Sequence, residues 1–126
     1  MKTKISLSII GSYNTFVAII MMFFSGQMVG SIVNSDITEV VKMCEIMHYG
    51  LAPAILIIGL MLILCRNASL EIAKNLLLAY IIGTLVLMYV FLCVMSNEPL
   101  MNFSIYTIIP DILMLIIAIF GYIKAK

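Results

Sequence analysis

Four stretches of about twenty residues, 5–24, 46–65, 76–95 and 103–123, run nearly without charge through a chain of 126 residues. Each matches the ~20 residues that a helix needs to cross a ~30 Å hydrocarbon core. With 64% hydrophobic and 10% charged residues, and a mean hydropathy of +1.23, the chain has too little polar surface for a water-soluble domain, in which roughly 25% of residues are charged. Backbone N–H and C=O groups in lipid must be satisfied within a helix or a closed barrel, and barrel strands would alternate polar and apolar residues over about 10 positions, which these runs do not. The expectation is all-α: a polytopic integral membrane four-helix bundle, up-down-up-down, formed by residues 1–126 as a single transmembrane domain.

Lys2 and Lys4 ahead of an apolar run also describe a signal peptide, but the run exceeds a signal core of ~7–15 residues and no A-x-A site follows at "FFSGQMVGS", so the first span is expected to be retained. Four spans put both termini and the loop between spans 2 and 3 on one side. Lys2, Lys4, Arg66, Lys74, Lys124 and Lys126 fall there, leaving Lys42 opposite, so the positive-inside rule makes that side cytoplasmic. A net charge of +1 and scattered basic residues give no phosphate-binding patch, which argues against nucleic acid as a partner. The bilayer is the expected partner, with a membrane protein or a second copy beside it.

The outer loop, residues 25–45, contains "SDITEVVKMCEIMHYG", which reads as a helix start near Ile37, with Asp36 as cap, Glu39 at the capping-box position and Lys42 beside Glu39. Ser69 is placed to cap the third span, and Pro99 suits a first helical turn. The short connections are expected to set span 2 beside span 3 and span 3 beside span 4. Between lipid-solvated helices, close backbone approach and a few hydrogen bonds supply association. Candidate packing residues at four-residue spacing are Ser8, Ser12 and Thr15 in span 1, Gly50 and Ala54 in span 2, and Ala79 and Gly83 in span 3. Tyr13, Asn14, Tyr80 and Thr84 can hydrogen-bond across helices, and the eleven methionines suit an adaptable apolar core.

Asp111 is the one acid within the fourth span. If that span enters lipid at Phe103, Asp111 lies about eight residues, or ~12 Å, inward, where a charged acid costs ~2.5–3.5 kcal/mol to insert and turns to the bundle interior. Alternatively, Pro110 starts the helix and Asp111 sits in its first turn, complementing the positive helix end; that leaves about 14 residues, ~21 Å, for the span. His48, the only histidine, lies three residues after Glu45 at the outer end of span 2. Asp111, His48, Glu45, Tyr49 and Tyr106 thus form a candidate polar cluster able to bind a cation or pass a proton, since histidine titrates near neutrality. Set against this is an interfacial histidine with aromatic anchors. No metal-ligand set, cofactor motif or catalytic constellation is recognisable. Cys44, Cys65 and Cys93 include no C-x-x-C pair and are expected to be free packing residues.

The four short spans, inside termini, the second span "APAILIIGLMLILCR" ending in a basic residue, and the acid near the start of the fourth span resemble DoxX-like and related uncharacterised small bacterial membrane proteins. The resemblance implies a four-helix protein of the bacterial inner membrane. The chain is similar in size to small multidrug transporters, but those carry an essential glutamate in the first span, where this chain has no acid. The expected function is a non-enzymatic accessory, assembly or lipid-interacting component; the alternative is a small ion- or proton-coupled carrier or channel subunit using Asp111.

Overall fold

The computed structural model describes residues 2–125; Met1 and Lys126, the latter counted above on the cytoplasmic side, lie outside them. The described residues are mainly helical, in the order α1 (Lys2–Phe23), α2 (Ser25–Ile32), α3 (Thr38–Leu64), α4 (Leu70–Tyr89) and α5 (Ile105–Ile123). A 3-10 turn at Cys65–Asn67 extends α3. A π-helical segment at Val90–Val94 and a 3-10 turn at Met95–Asn97 extend α4. Four helical stretches are long and apolar enough to cross a membrane: Lys2–Phe23, Thr38–Asn67, Leu70–Asn97 and Ile105–Ile123. They coincide with the four expected spans, each shifted at its ends by the polar residues that cap or extend it.

Helix boundaries follow local hydrogen bonding. Ser69 caps α4 as expected, its hydroxyl accepting from the Ile72 amide at 3.5 Å, and Ser104 caps α5 through the Tyr106 amide at 3.4 Å. At the start of α3 neither the expected Asp36 cap nor the Glu39 capping box forms: Ile37 is the N-cap residue and no side chain caps the helix, Ser35 Oγ accepts from the Ile37 amide at 3.2 Å just ahead of it, and Lys42 approaches Glu45 rather than Glu39, at 3.8 Å. Pro99 lies in a turn ahead of α5 and not in its first turn. The stretch between the first two spans holds an unexpected helix, α2, which continues α1 after a bend at Phe24. Beyond α2, Val33 and Met101 form an isolated antiparallel bridge. The Asn34 amide donates to Leu100 O at 2.8 Å and the Asn102 amide to Ile32 O at 2.6 Å, which ties the α2–α3 loop to the α4–α5 connection.

The packing bears out one expected neighbour and corrects the other. α4 packs beside α5, whereas α3 and α4, despite their short connection, make almost no contact; α1 instead lies against α3, α5 and α4. Seven residues of α1 are buried, against three on α3, three on α4 and four on α5, so the helix richest in Ser, Thr, Tyr and Asn is the hub. That inversion is what lipid favours, since polar groups need partners there and small residues let backbones approach. Leu7 and Ile10 of α1 meet Leu62, Ala73, Leu77, Met114 and Ala118 in the core.

Two seams carry the closest approaches. A Cβ on Gly59 would fall 2.5 Å from Thr15 Oγ1 and 2.9 Å from Gly11 O, so α1 and α3 touch backbone to backbone. A Cβ on Gly121 would fall 2.6 Å from Ser6 Cβ, and Thr3 Oγ1 donates to Gly121 O at 3.1 Å, joining α1 to α5. Of the expected packing residues, Thr15 therefore lies in a seam. Gly50 and Gly83 have nothing within 4 Å of a built Cβ, Ala54, Ala79 and Ser12 are exposed, and Ser8 bonds back to Lys4 O at 2.8 Å. Four-residue spacing marks a stripe but not the side it faces; on α4 the inward stripe is Ala73, Leu77, Tyr80 and Thr84, about one residue out of phase with Ala79 and Gly83.

Candidate functional site

Asp111 is positioned by where α5 begins. With Ser104 as cap and Ile105 as first residue, Pro110 lies inside the helix and Asp111 stands six residues, ~9 Å, past its start. It is therefore not a first-turn carboxylate, and the arrangement in which Pro110 starts the helix does not occur. Ile108, Met114, Ala118 and Gly121 are buried on the same side of α5, and Asp111, half-buried among them, faces α1.

Its partner is Tyr13, whose hydroxyl donates to Asp111 Oδ1 at 3.2 Å. Tyr13 sits near the middle of α1, eleven residues after Lys2 and ten before Phe23. The neighbouring Asn14 donates from Nδ2 to Ile10 O at 2.8 Å and to the Tyr80 hydroxyl at 3.4 Å; Thr84 Oγ1 donates to Tyr80 O at 2.7 Å. Side chains from α1, α4 and α5 thus build a polar centre where the three helices meet. A hydrogen bond to a charged group contributes about 1.5–3 kcal/mol, comparable with the ~2.5–3.5 kcal/mol insertion cost of an acid. The site can hold a carboxylate or a carboxylic acid, and so can take up or release a proton.

The other members of the expected cluster lie elsewhere. Gly59 is level with Gly11 and Thr15, so His48, eleven residues earlier on α3, stands ~16 Å along the helix from Tyr13. Its Nε2 is buried without a hydrogen-bond partner among the described residues. Glu45 and Tyr49 line a separate open cavity, and Tyr106 is 79% exposed. Tyr13, Asn14, Tyr80 and Thr84 were visible in the sequence as polar residues within spans, but their convergence was not. Similar depth was the available signal: Tyr13 lies eleven residues from one end of its expected span and Asp111 eight from one end of its own.

Cys44 and Cys65 are partly buried and Cys93 exposed, all three free. Among the described residues no three His, Cys, Asp or Glu side chains group to hold a metal ion. At the end of the bundle opposite the Val33–Met101 bridge, Lys74 lies over the Tyr122 ring at 5.1 Å and Lys2 over Phe120 at 5.9 Å. Compared with protein-family models, curated proteins and solved structures, the chain matches none.

Proposed function

We propose that the chain is a small multi-pass integral protein of a bacterial cytoplasmic membrane, threaded up-down-up-down with both termini inside, working without catalysis as an accessory, assembly or lipid-interacting component. The observation that carries this reading is the distribution of polarity: Phe16, Ile57, Leu85 and Ile116, one on each long helix, are 54–62% exposed, while Tyr13, Asn14, Tyr80 and Asp111 meet inside. A bilayer makes that arrangement favourable. Opposed numbering along the seams, with Gly11 near Ile63 and Thr15 near Gly59, supports alternating helix directions. The clustering of Lys2, Lys4, Arg66, Lys74 and Lys124 away from Lys42 supports the orientation. Four spans with inside termini are also what the likeness to DoxX-like proteins implies.

The test is alkaline carbonate extraction followed by native mass spectrometry from a mild detergent. The chain is expected to stay in the membrane pellet and to fly with bound phospholipid or a protein partner. Release by carbonate contradicts membrane integration, and a bare chain contradicts the accessory and lipid-interacting roles.

The Tyr13–Asp111 hydrogen bond favours a second reading, proton- or ion-coupled transport through Asp111. Under it, Asp111→Asn inserts normally but loses pH-dependent flux in proteoliposomes; unchanged flux counts against it.

A further inference from the structure

Where α1 bends into α2, the chain leaves an open cavity of about 300 Å³ against the start of α3, lined by Met22, Ser25, Lys42, Glu45, Ile46 and Tyr49. A second cavity, about 250 Å³, adjoins it, shares Lys42 and Glu45, and adds Asp36 to the lining. Lys42 Nζ and Glu45 Oε2 are 3.8 Å apart, longer than a hydrogen bond, so the ammonium keeps its donors and the carboxylate its lone pairs for other groups. Two carboxylates and one ammonium thus line the same open recess.

Apart from the hydroxyls of Ser25, Thr38 and Tyr49, the rest of the lining is apolar. Met22 and Ile46 form one wall, and Ile46 is 58% exposed. Tyr49 at the rim is half exposed, the position that tyrosines favour where lipid meets water. Four residues beyond Ile46 on the same helix face, Gly50 has nothing within 4 Å of a built Cβ, and Pro53 and Ile57 after it are exposed, so an unobstructed apolar strip runs from the cavity along α3. A ligand that fits carries a phosphate for Lys42, a hydrogen-bonding cation for Glu45 and Asp36, and an apolar tail for the strip.

We infer that the paired cavities at the start of α3 bind the head group of an aminophospholipid, a phosphoethanolamine on acyl chains, with its phosphate on Lys42 and its primary ammonium between Glu45 and Asp36. Choline lipids fit less well because their trimethylated nitrogen has no N–H to donate to the carboxylates. Phosphatidylglycerol fits less well because its head group has no cation and its net negative charge meets two acids. The inference rests on the lipid-interacting reading above and gives it a site and a head group.

The test is native mass spectrometry of the full chain released from nanodiscs containing equal amounts of phosphatidylethanolamine, phosphatidylcholine and phosphatidylglycerol of the same acyl composition. Retention of the ethanolamine lipid is expected to exceed that of the other two by about tenfold, near 1.4 kcal/mol of discrimination. Asp36→Asn with Glu45→Gln should bring the ratio close to one, Lys42→Gln should lower retention of all three lipids, and Glu39→Gln, outside both cavities, leaves both unchanged; circular dichroism checks that each variant is folded. Lipid retained without head-group preference, or a preference that survives the double carboxylate variant, overturns the assignment and leaves the lipid-interacting reading intact. A chain that retains no lipid overturns both. Displacement of the lipid by an equal concentration of soluble phosphoethanolamine overturns the assignment to a lipid.

Discussion

Tyr13, in the middle of α1, donates its hydroxyl hydrogen to Asp111 of α5 at 3.2 Å, across 98 residues of sequence. It is the contact that turns a misplaced-looking acid into an organised one. Removing it with Tyr13→Phe leaves Asp111 half-buried without its donor, and a loss of about 1–2 kcal/mol is expected in detergent unfolding, between the modest values usual for membrane hydrogen bonds and those for charged groups in proteins. Asp111→Asn keeps an acceptor oxygen and should lose less. A double-mutant cycle on the pair should return a coupling of about 1 kcal/mol; coupling within ~0.3 kcal/mol of zero would show that the bond contributes nothing.

Glycines separate by what a side chain would meet. Gly59→Ala forces a methyl group onto Thr15 and the Gly11 carbonyl, where backbone cannot yield, so a loss of about 1–3 kcal/mol or misassembly is expected. Gly83→Ala and Gly50→Ala meet nothing within 4 Å and should be neutral or gain up to ~1 kcal/mol from better helix propensity. Thermal unfolding of the three variants in one detergent checks this, and equal destabilisation would contradict the seam.

The loop bridge makes a prediction of a different kind. Val33 and Met101 form a non-hydrogen-bonded antiparallel pair, whose Cα atoms stand about 4.5 Å apart in such geometry, within the ~4.4–6.8 Å that a disulfide requires. In a background lacking Cys44, Cys65 and Cys93, Val33→Cys with Met101→Cys should therefore crosslink readily under mild oxidation. The Asn34 and Asn102 amides should exchange slowly for loop positions. Failure to crosslink, with both amides exchanging freely, would place the loops apart.

Thr3 and Gly121 lock the other end of the α1–α5 seam through a buried hydrogen bond. Thr3→Val keeps the shape and removes the donor, leaving the Gly121 carbonyl unmatched, and should cost about 1 kcal/mol in the same unfolding assay. No change would mean that the carbonyl is satisfied within α5.

The long helices were legible in the sequence because a span is a local property: about twenty apolar residues suffice to specify one, and Ser69 announces its own cap. The short α2 was hidden, since "SGQMVGSI" carries two glycines and spans only 8 residues, too few to stand out beside the long apolar runs. Which helix stands at the centre was not legible, although the hub is the span with the most hydroxyl and amide side chains. Depth and face decided the rest. Gly50, Ala54, Ala79 and Gly83 have the four-residue spacing of packing residues but stand open or exposed, and His48, the partner that sequence offers Asp111, stands ~16 Å along the bundle from the level of Tyr13. Contacts between helices this far apart in sequence leave no trace in local periodicity.

That the chain threads a membrane four times with both ends inside is tested most directly by single cysteines at Ser35→Cys and Ser69→Cys in the cysteine-free background, probed in intact cells with a membrane-impermeant maleimide. Position 35 should label at once, and position 69 only after the membrane is opened. Labelling of position 69 in intact cells, or protection of position 35, would contradict the account.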